Sequence, residues 1–445
     1  MGRIGGKRMA NKKATAEMQI IRDSFAEIVG YEDVKKEMYE YCDVLRNPDK
    51  YKKMGVYQPH GLLIHGEPGI GKSLMAACVI KASGRKSYEI RKDKPDGDLV
   101  KYIQETFATA KENVPSIILI DDMDKFANED YDHRNAEEYV AIQACIDSVR
   151  GKNVFVIATV NDFDILPESL KRTGRFDRII ELSRPEKEDA VEIIKYHLSN
   201  KKCLSEIDID EVAAILGGSN CADLESIINE AGIYAGFAGK ECIDKEDIIR
   251  AYLRLVFQAP ERNSNEDYEQ DRIVAMHEAG HAIVAEVLDP GSVKVVSICR
   301  HIGSTEGITS VYKPNYFKAS HEKTEVQILV ALGGRAAIEL HTGEIDLGAE
   351  KDLERAQKMI ERMHAKNAAY DFISLSARRY MDAELQRDDR ARFVSYDMRR
   401  YYDRVKQILI QNKELFESLV ELLLEKKTLT YKDIGELFTG KNLAS

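Results

Sequence analysis

Short, wholly apolar runs alternate with amphipathic stretches over the first 185 residues. Gly61–His65, Ile117–Ile120 and Val154–Thr159 are strand-length and apolar almost throughout, which suits a parallel sheet covered on both faces. Between them, Asp98–Lys111 and Ala136–Val149 repeat apolar residues every three or four positions, the period of a helix with one buried face. From Lys187 to about Phe257 the pattern is helical throughout, and residues 258–267 then turn polar and lose all periodicity. Past this linker, Asp271–Leu288 reads as helix, Ser292–Cys299 and Gly307–Tyr312 as short strands, and everything from Lys323 onward as mostly helix. The predicted organisation is a basic flexible tail over 1–23, an α/β unit over 24–186, a helical unit over 187–257, a linker over 258–270 and a mostly helical domain over 271–445.

Composition narrows the class. A chain of 445 residues, 44% hydrophobic and 32% charged, has room for about three packed domains and is neither a disordered tail nor a membrane bundle. With 65 basic against 76 acidic side chains the formal charge is −11, which argues against a general nucleic-acid binder. No apolar run approaches the eighteen or so residues of a membrane span, so no transmembrane segment is expected. The basic start, Met1-Gly2-Arg3-Ile4-Gly5-Gly6-Lys7-Arg8, has no apolar stretch behind it and is not a signal peptide. Seven cysteines, an odd number without Cys-x-x-Cys, mostly sit in apolar stretches. Reduced buried thiols in a cytoplasmic protein are the expectation.

Two constellations carry chemistry. After the run 61–65 comes Gly66-Glu67-Pro68-Gly69-Ile70-Gly71-Lys72-Ser73, the phosphate-binding pattern G-x-x-x-x-G-K-[ST] in its strand–loop–helix setting. Backbone N–H groups close on phosphates there, Lys72 reaches the β and γ phosphates, and Ser73 helps to hold Mg²⁺. Asp121, at the end of a second apolar run, is placed to accept Mg²⁺ with its waters, and Asn161, ending a third, to orient an attacking water. The cluster Arg172-Thr173-Gly174-Arg175 supplies guanidiniums for a neighbouring subunit's γ-phosphate.

The second constellation is His277-Glu278-Ala279-Gly280-His281. Two imidazoles at i and i+4 share a helix face and can meet one Zn²⁺, with Glu278 beside them to polarise water. A buried histidine pair is the rival reading, but two His flanking a Glu fill a core at high desolvation cost. A third ligand is needed, and spacing leaves Glu339, His341, Glu344, Glu350 and Asp352 all open.

Taken with Ser24-Phe25-Ala26-Glu27-Ile28-Val29-Gly30 and Cys221-Ala222-Asp223-Leu224, the first constellation resembles the AAA+ ATPase module. With the His-Glu pair, Leu332-Gly333-Gly334-Arg335-Ala336-Ala337 and Gly348-Ala349-Glu350-Lys351-Asp352-Leu353, the whole is similar to the FtsH family of ATP-dependent zinc metalloproteases. The resemblance implies an α/β AAA+ P-loop module, with a parallel sheet and helical lid, followed by a mostly α-helical zinc metallopeptidase domain. It implies that Ile28, Val29 and Gly30 line the adenine pocket, that Asn161 is a sensor, that Arg172 and Arg175 are intersubunit arginine fingers, and that Asp352 is the third zinc ligand. Zn²⁺, ATP and Mg²⁺ are the implied cofactors, a hexameric ring the implied homo-oligomer, and unfolded proteins the implied substrates, bound along Gly307–Val311. Two departures stand out. The family's catalytic Glu is here Asp122, a carboxylate set back by about 1.5 Å. The family's apolar substrate-gripping loop is here Arg91-Lys92-Asp93-Lys94-Pro95-Asp96-Gly97. A nucleotide-gated regulatory or chaperone-like assembly with weak proteolysis is the alternative those departures support.

Overall fold

The computed structural model describes residues 15–93, 96–126, 137–172, 174–199, 201, 207–257, 268–299, 307–311, 320–344, 348–366 and 383–440. The chain divides into two compact units, residues 1–202 with 219–228, and residues 203–218 with 229–445.

In the first unit the apolar runs become a five-stranded parallel sheet. Strands β1 (Gly61–His65), β2 (Lys86–Ile90), β3 (Ser116–Ile120), β4 (Val154–Val160) and β5 (Arg178–Glu181) lie in the order β2-β3-β4-β1-β5. Every residue of β3 and β4 is buried, because helices cover both faces. Strand alternation sorts the side chains. Leu62, Ile64, Ile117, Leu119, Phe155 and Ile157 face α1 (Glu32–Arg46) and α2 (Lys72–Ser83). Leu63, Ile118, Ile120, Val156 and Ala158 join the opposite core with α3 (Asp96–Glu112) and α4 (Glu137–Val149). Since the strands are parallel and β3, β4 and β1 are neighbours, their carboxyl ends open on one crevice. That is where the phosphate loop, Asp121-Asp122 and Asn161 begin.

The expected tail boundary needs correction. Residues 15–24 are helical, and Ile21 and Phe25 are buried in the core beside Met38. Apolar burial therefore starts inside the segment whose basic start suggested a solvated tail; residues 1–14 lie outside the described residues.

The segment 187–257 contains α5 (Lys187–Ser199), α6 (Ile209–Leu216), α7 (Cys221–Phe237) and α8 (Lys245–Val256). It is helical as expected, but the division between the two units passes through α7. Within the second unit, Tyr252 of α8 shares a 2.7 Å hydrogen bond with Ser310, and Lys432 donates to Asp208 and Glu211 at 2.9 and 2.8 Å.

The rest of the second unit is built on α9 (Tyr268–Leu288), α10 (His321–Thr342), α11 (Glu350–Lys366), α12 (Ala383–Gln411), α13 (Lys413–Lys426) and α14 (Tyr431–Phe438). A small antiparallel sheet, in the order β7 (Ile308–Val311), β6 (Val293–Ser297), β8 (Thr428–Thr430), packs with them. Strand β8 lies in sequence that reads as helix. Three residues are too short a window for a strand period to show. Most of the expected linker, residues 258–267, lies outside the described residues.

Helices α9 and α10 pack backbone to backbone. A Cβ placed on Gly333 would lie 2.6 Å from the Gly280 carbonyl oxygen, and one on Gly280 would strike the Gly333 carbonyl in turn. No other residue pair permits that approach. It brings the His277–His281 face onto the second helix.

Candidate functional site

At the crevice of the first unit, the Lys72 ammonium donates to the carbonyls of Gly66 and Glu67, both at 2.8 Å. Burial depresses its pKa, while Asp122, Asp124 and Asp121 pull the other way. Ser73 and Thr159 both donate to Asp121 Oδ1, at 2.9 and 2.7 Å. The Asp122 N–H donates to Thr159 Oγ1 at 2.8 Å, and its carboxylate accepts from Asn161 Nδ2 at 3.1 Å and Lys125 Nζ at 2.5 Å. Burial raises the Asp122 pKa, but Lys125, Asn161 and Lys72 outweigh it and hold the carboxyl below the usual range. Asp122 also has φ +51, a left-handed conformation that Asp tolerates better than longer side chains do. A hydroxyl and a carboxylate converge here as hard oxygen donors, a set that suits Mg²⁺.

The residues expected at the adenine are joined by contacts from separate segments. Ile28 is buried and its carbonyl accepts from Lys35 at 3.1 Å, whereas Val29 is half-buried. Gly30 packs against Asp189, which accepts from the Tyr31 N–H at 3.0 Å. The Tyr31 hydroxyl donates to Ser183 O at 2.9 Å and touches Cys221 Sγ at 3.4 Å, and the Ala222 N–H donates to Gly69 O at 2.9 Å. Pro68 and Glu67 are exposed on the loop, Glu67 paired with Arg184 at 2.6 Å; Ile70 is buried beneath it.

The arginines lie elsewhere. The Arg175 carbonyl packs against Gly61, the first residue of β1, about five strand steps of about 3.3 Å from the phosphate loop. Its guanidinium grips Asp147 at 3.1 and 2.8 Å and also bonds the Ser169 carbonyl. Arg172 is exposed, and Thr173 lies outside the described residues.

In the second unit, His277, His281 and Asp352 form a cluster whose ligand atoms all lie within 4.8 Å of one another. The two Nε2 atoms are 3.0 Å apart and Asp352 Oδ2 is 3.4 Å from each. A tetrahedral zinc with bonds of about 2.0–2.1 Å spaces its ligand atoms about 3.3 Å apart, so this donor set fits the ion. Asp352 enters from the first turn of α11. Burial raises its pKa, yet hydrogen bonds from the two imidazoles hold it far below the carboxylate range. The His281 Nδ1–H donates to Val330 O at 2.6 Å, which leaves Nε2 to face the cluster. Glu278 is 6% exposed, and its Oε2 accepts from Thr309 Oγ1 at 2.5 Å. Thr309 sits on β7, at the edge of the sheet order.

Thr159, Lys125 and Tyr31 are site residues that the motifs did not nominate, and Thr309 was expected only as part of the substrate strand Gly307–Val311. Tyr31 follows Gly30, Lys125 stands three residues past Asp122 and Thr159 two before Asn161, so each lies beside a motif in sequence, but only the fold shows what each one touches. Gly334 is another. A Cβ there would lie 2.5 Å from His277 Nε2, so Gly334→Ala should displace that ligand. The expected outcome is zinc content reduced by half or more by emission spectroscopy, with helicity unchanged by circular dichroism; full zinc content would contradict this packing role.

Comparison with known proteins agrees with both constellations. Residues 62–184 match the family described as ATPase family associated with various cellular activities, and residues 265–437 match peptidase family M41. The chain is 30% identical over 438 residues to ATP-dependent zinc metalloprotease FtsH 2 of Thermoanaerobacter sp. strain X514, covering 94% of this chain and 83% of that one. It is also 30% identical to FtsH 2 of Salinibacter ruber and to FtsH of Caldicellulosiruptor bescii, over 94% and 93% of this chain and 65% and 72% of theirs. The chain belongs to the FtsH family of ATP-dependent zinc metalloproteases. It is an enzyme, a hydrolase that joins an AAA ATPase module to an M41 zinc peptidase, with Zn²⁺ and Mg²⁺-ATP as cofactors. The FtsH reading thus prevails over a regulatory assembly. Among the described residues, no helix is long and apolar enough to cross a membrane.

Proposed function

We propose that His277, His281 and Asp352 hold the catalytic zinc and that Glu278 is the general base for peptide-bond hydrolysis. The observation that carries this is the convergence of three ligand atoms at zinc spacing with a buried carboxylate beside them. Zinc held there is a Lewis acid that brings the pKa of water near neutrality. Glu278, its carboxylate fixed by Thr309, takes the proton of the attacking water and returns it to the leaving amine. An extended substrate pairs with β7 by main-chain hydrogen bonds, which places its carbonyl near Glu278 through Thr309. Asp352→Asn tests the ligand set: losing an anionic ligand should lower zinc affinity by at least tenfold, read with a competing chelator. An unchanged affinity would move the third ligand elsewhere.

For the ATPase, Lys72 binds the β and γ phosphates with the backbone of residues 66–71, and Ser73 and Asp121 hold Mg²⁺. Asp122 and Asn161 orient the attacking water, and Ile28, Val29 and Gly30 line the adenine. Arg172 and Arg175 serve the γ-phosphate of an adjacent subunit in a homo-oligomeric ring, a hexamer. Their support is position, since Arg175 packs at the opposite end of β1 from its own phosphate loop.

The substrates are unfolded or loosely folded proteins. Asp122 is a shortened base held by Lys125, which slows hydrolysis, and Arg91-Lys92-Asp93 open a charged segment in place of an apolar grip. Residues 94–95 of that segment lie outside the described residues. An aromatic grip holds any unfolded chain by burying surface, whereas charges hold selected sequences and release them as salt rises. Six cysteines among the described residues form no disulfide, which supports action in the reducing cytoplasm.

A further inference from the structure

Asp121 has a partner that no motif nominates. Ser73 and Thr159 occupy its Oδ1. Its Oδ2 faces Arg91 Nη2 at 3.3 Å, and Arg91 Nε also reaches Glu89 Oε1 at 2.6 Å. The placement is built into the sheet. Strands β2 and β3 are parallel with Ile90 opposite Ile120, and the Asp121 N–H donates to the Ile90 carbonyl at 3.1 Å. The residue after β2 therefore stands beside the residue after β3. The Asp121 side chain is 10% exposed and that of Arg91 59%, so solvent reaches the pair from the arginine's side.

We propose that Arg91 is a positioning residue that competes with Mg²⁺ for Asp121 and so sets the magnesium requirement of nucleotide binding. The inference rests on Asp121 as the Mg²⁺-side carboxylate. A carboxylate oxygen that shares its charge with a guanidinium is a weaker acceptor for a metal's water shell, and a fixed positive charge a few ångströms away repels a divalent ion. Because Arg91 is largely exposed, the competition is screened by salt. A purely structural arginine would show no such screening.

The test titrates MgCl₂ against the full chain with a fluorescent, non-hydrolysable ATP analogue at low and high salt. Arg91→Ala should lower the half-saturating Mg²⁺ by about three- to tenfold at low ionic strength, with the gap narrowing by 0.5–1 M salt, where the screening length falls to about 3–4 Å. Arg91→Lys, which keeps the charge, should stay near wild type. An unchanged or higher Mg²⁺ requirement in Arg91→Ala overturns the proposal, as does a gap that salt leaves untouched. Asp121→Asn separates the two layers. If it titrates like wild type, the magnesium role of Asp121 fails and the inference with it. If it loses the Mg²⁺ response while Arg91→Ala matches wild type, only the role of Arg91 is wrong.

Discussion

Glu278→Gln should abolish peptide-bond cleavage while leaving zinc content and ATP turnover at wild-type levels. The substitution keeps the shape of the side chain and an oxygen able to accept from Thr309, so the 2.5 Å contact that fixes the headgroup survives. What goes is the group that takes a proton, and general-base catalysis is worth about 10²–10⁴ in rate. Zinc stays because the three converging ligand atoms belong to other residues. ATP turnover stays because the phosphate loop, Asp121 and Asn161 sit in the other compact unit. Casein cleavage above about a tenth of wild type would remove Glu278 from the role of base.

Arg175→Ala should bind ATP yet hydrolyse it slowly, by a factor of about 10³ if it is a full arginine finger. The structural loss is small by comparison. The Arg175–Asp147 pair is partly exposed, at 22% and 50% of the side-chain surfaces, and pairs of that kind contribute about 1 kcal/mol or less. A Lys72→Ala chain fails differently, since its own pocket can no longer hold the phosphates. Mixed rings would place the intact pocket of an Arg175→Ala subunit against the intact arginine of a Lys72→Ala subunit, and turnover should partly return. If both variants assemble and the mixture stays inactive, Arg175 is a structural partner of Asp147 and nothing more.

The sequence revealed what is encoded locally. Residues 61–73 state a strand, a glycine turn and a lysine at a helix start in one continuous run, and residues 277–281 put two ligands one helical turn apart. Both survive translation into three dimensions because their geometry depends on the backbone of a single element. Asp352 is different. It lies 71 residues past His281, and spacing could not separate it from Glu339, His341, Glu344 or Glu350; the family resemblance pointed to it, and the geometry brings it within 3.4 Å of both imidazoles. The glycine crossing that makes this meeting possible, Gly280 on Gly333, is a property of two helices together. Thr309 and Arg91 likewise meet Glu278 and Asp121 through packing and sheet register, which no local window contains. Burial of Ile21 was missed because the basic residues before it dominate the composition. The left-handed backbone at Asp122 is invisible in the pattern, although it helps explain why a short carboxylate is accommodated there. Asp122→Glu would face that strain.

We propose that one chain cleaves protein at a zinc centre, driven by ATP hydrolysis but with a weak grip. This is tested most directly by following casein and a tagged, tightly folded fluorescent protein together. Each is incubated with the zinc-loaded enzyme and either Mg²⁺-ATP or a non-hydrolysable analogue. The expected result is zinc-dependent loss of casein that is faster with ATP than with the analogue, while the fluorescence of the folded protein persists in both. Rapid ATP-dependent loss of that fluorescence, or casein cleavage that continues after the zinc is stripped, would contradict it.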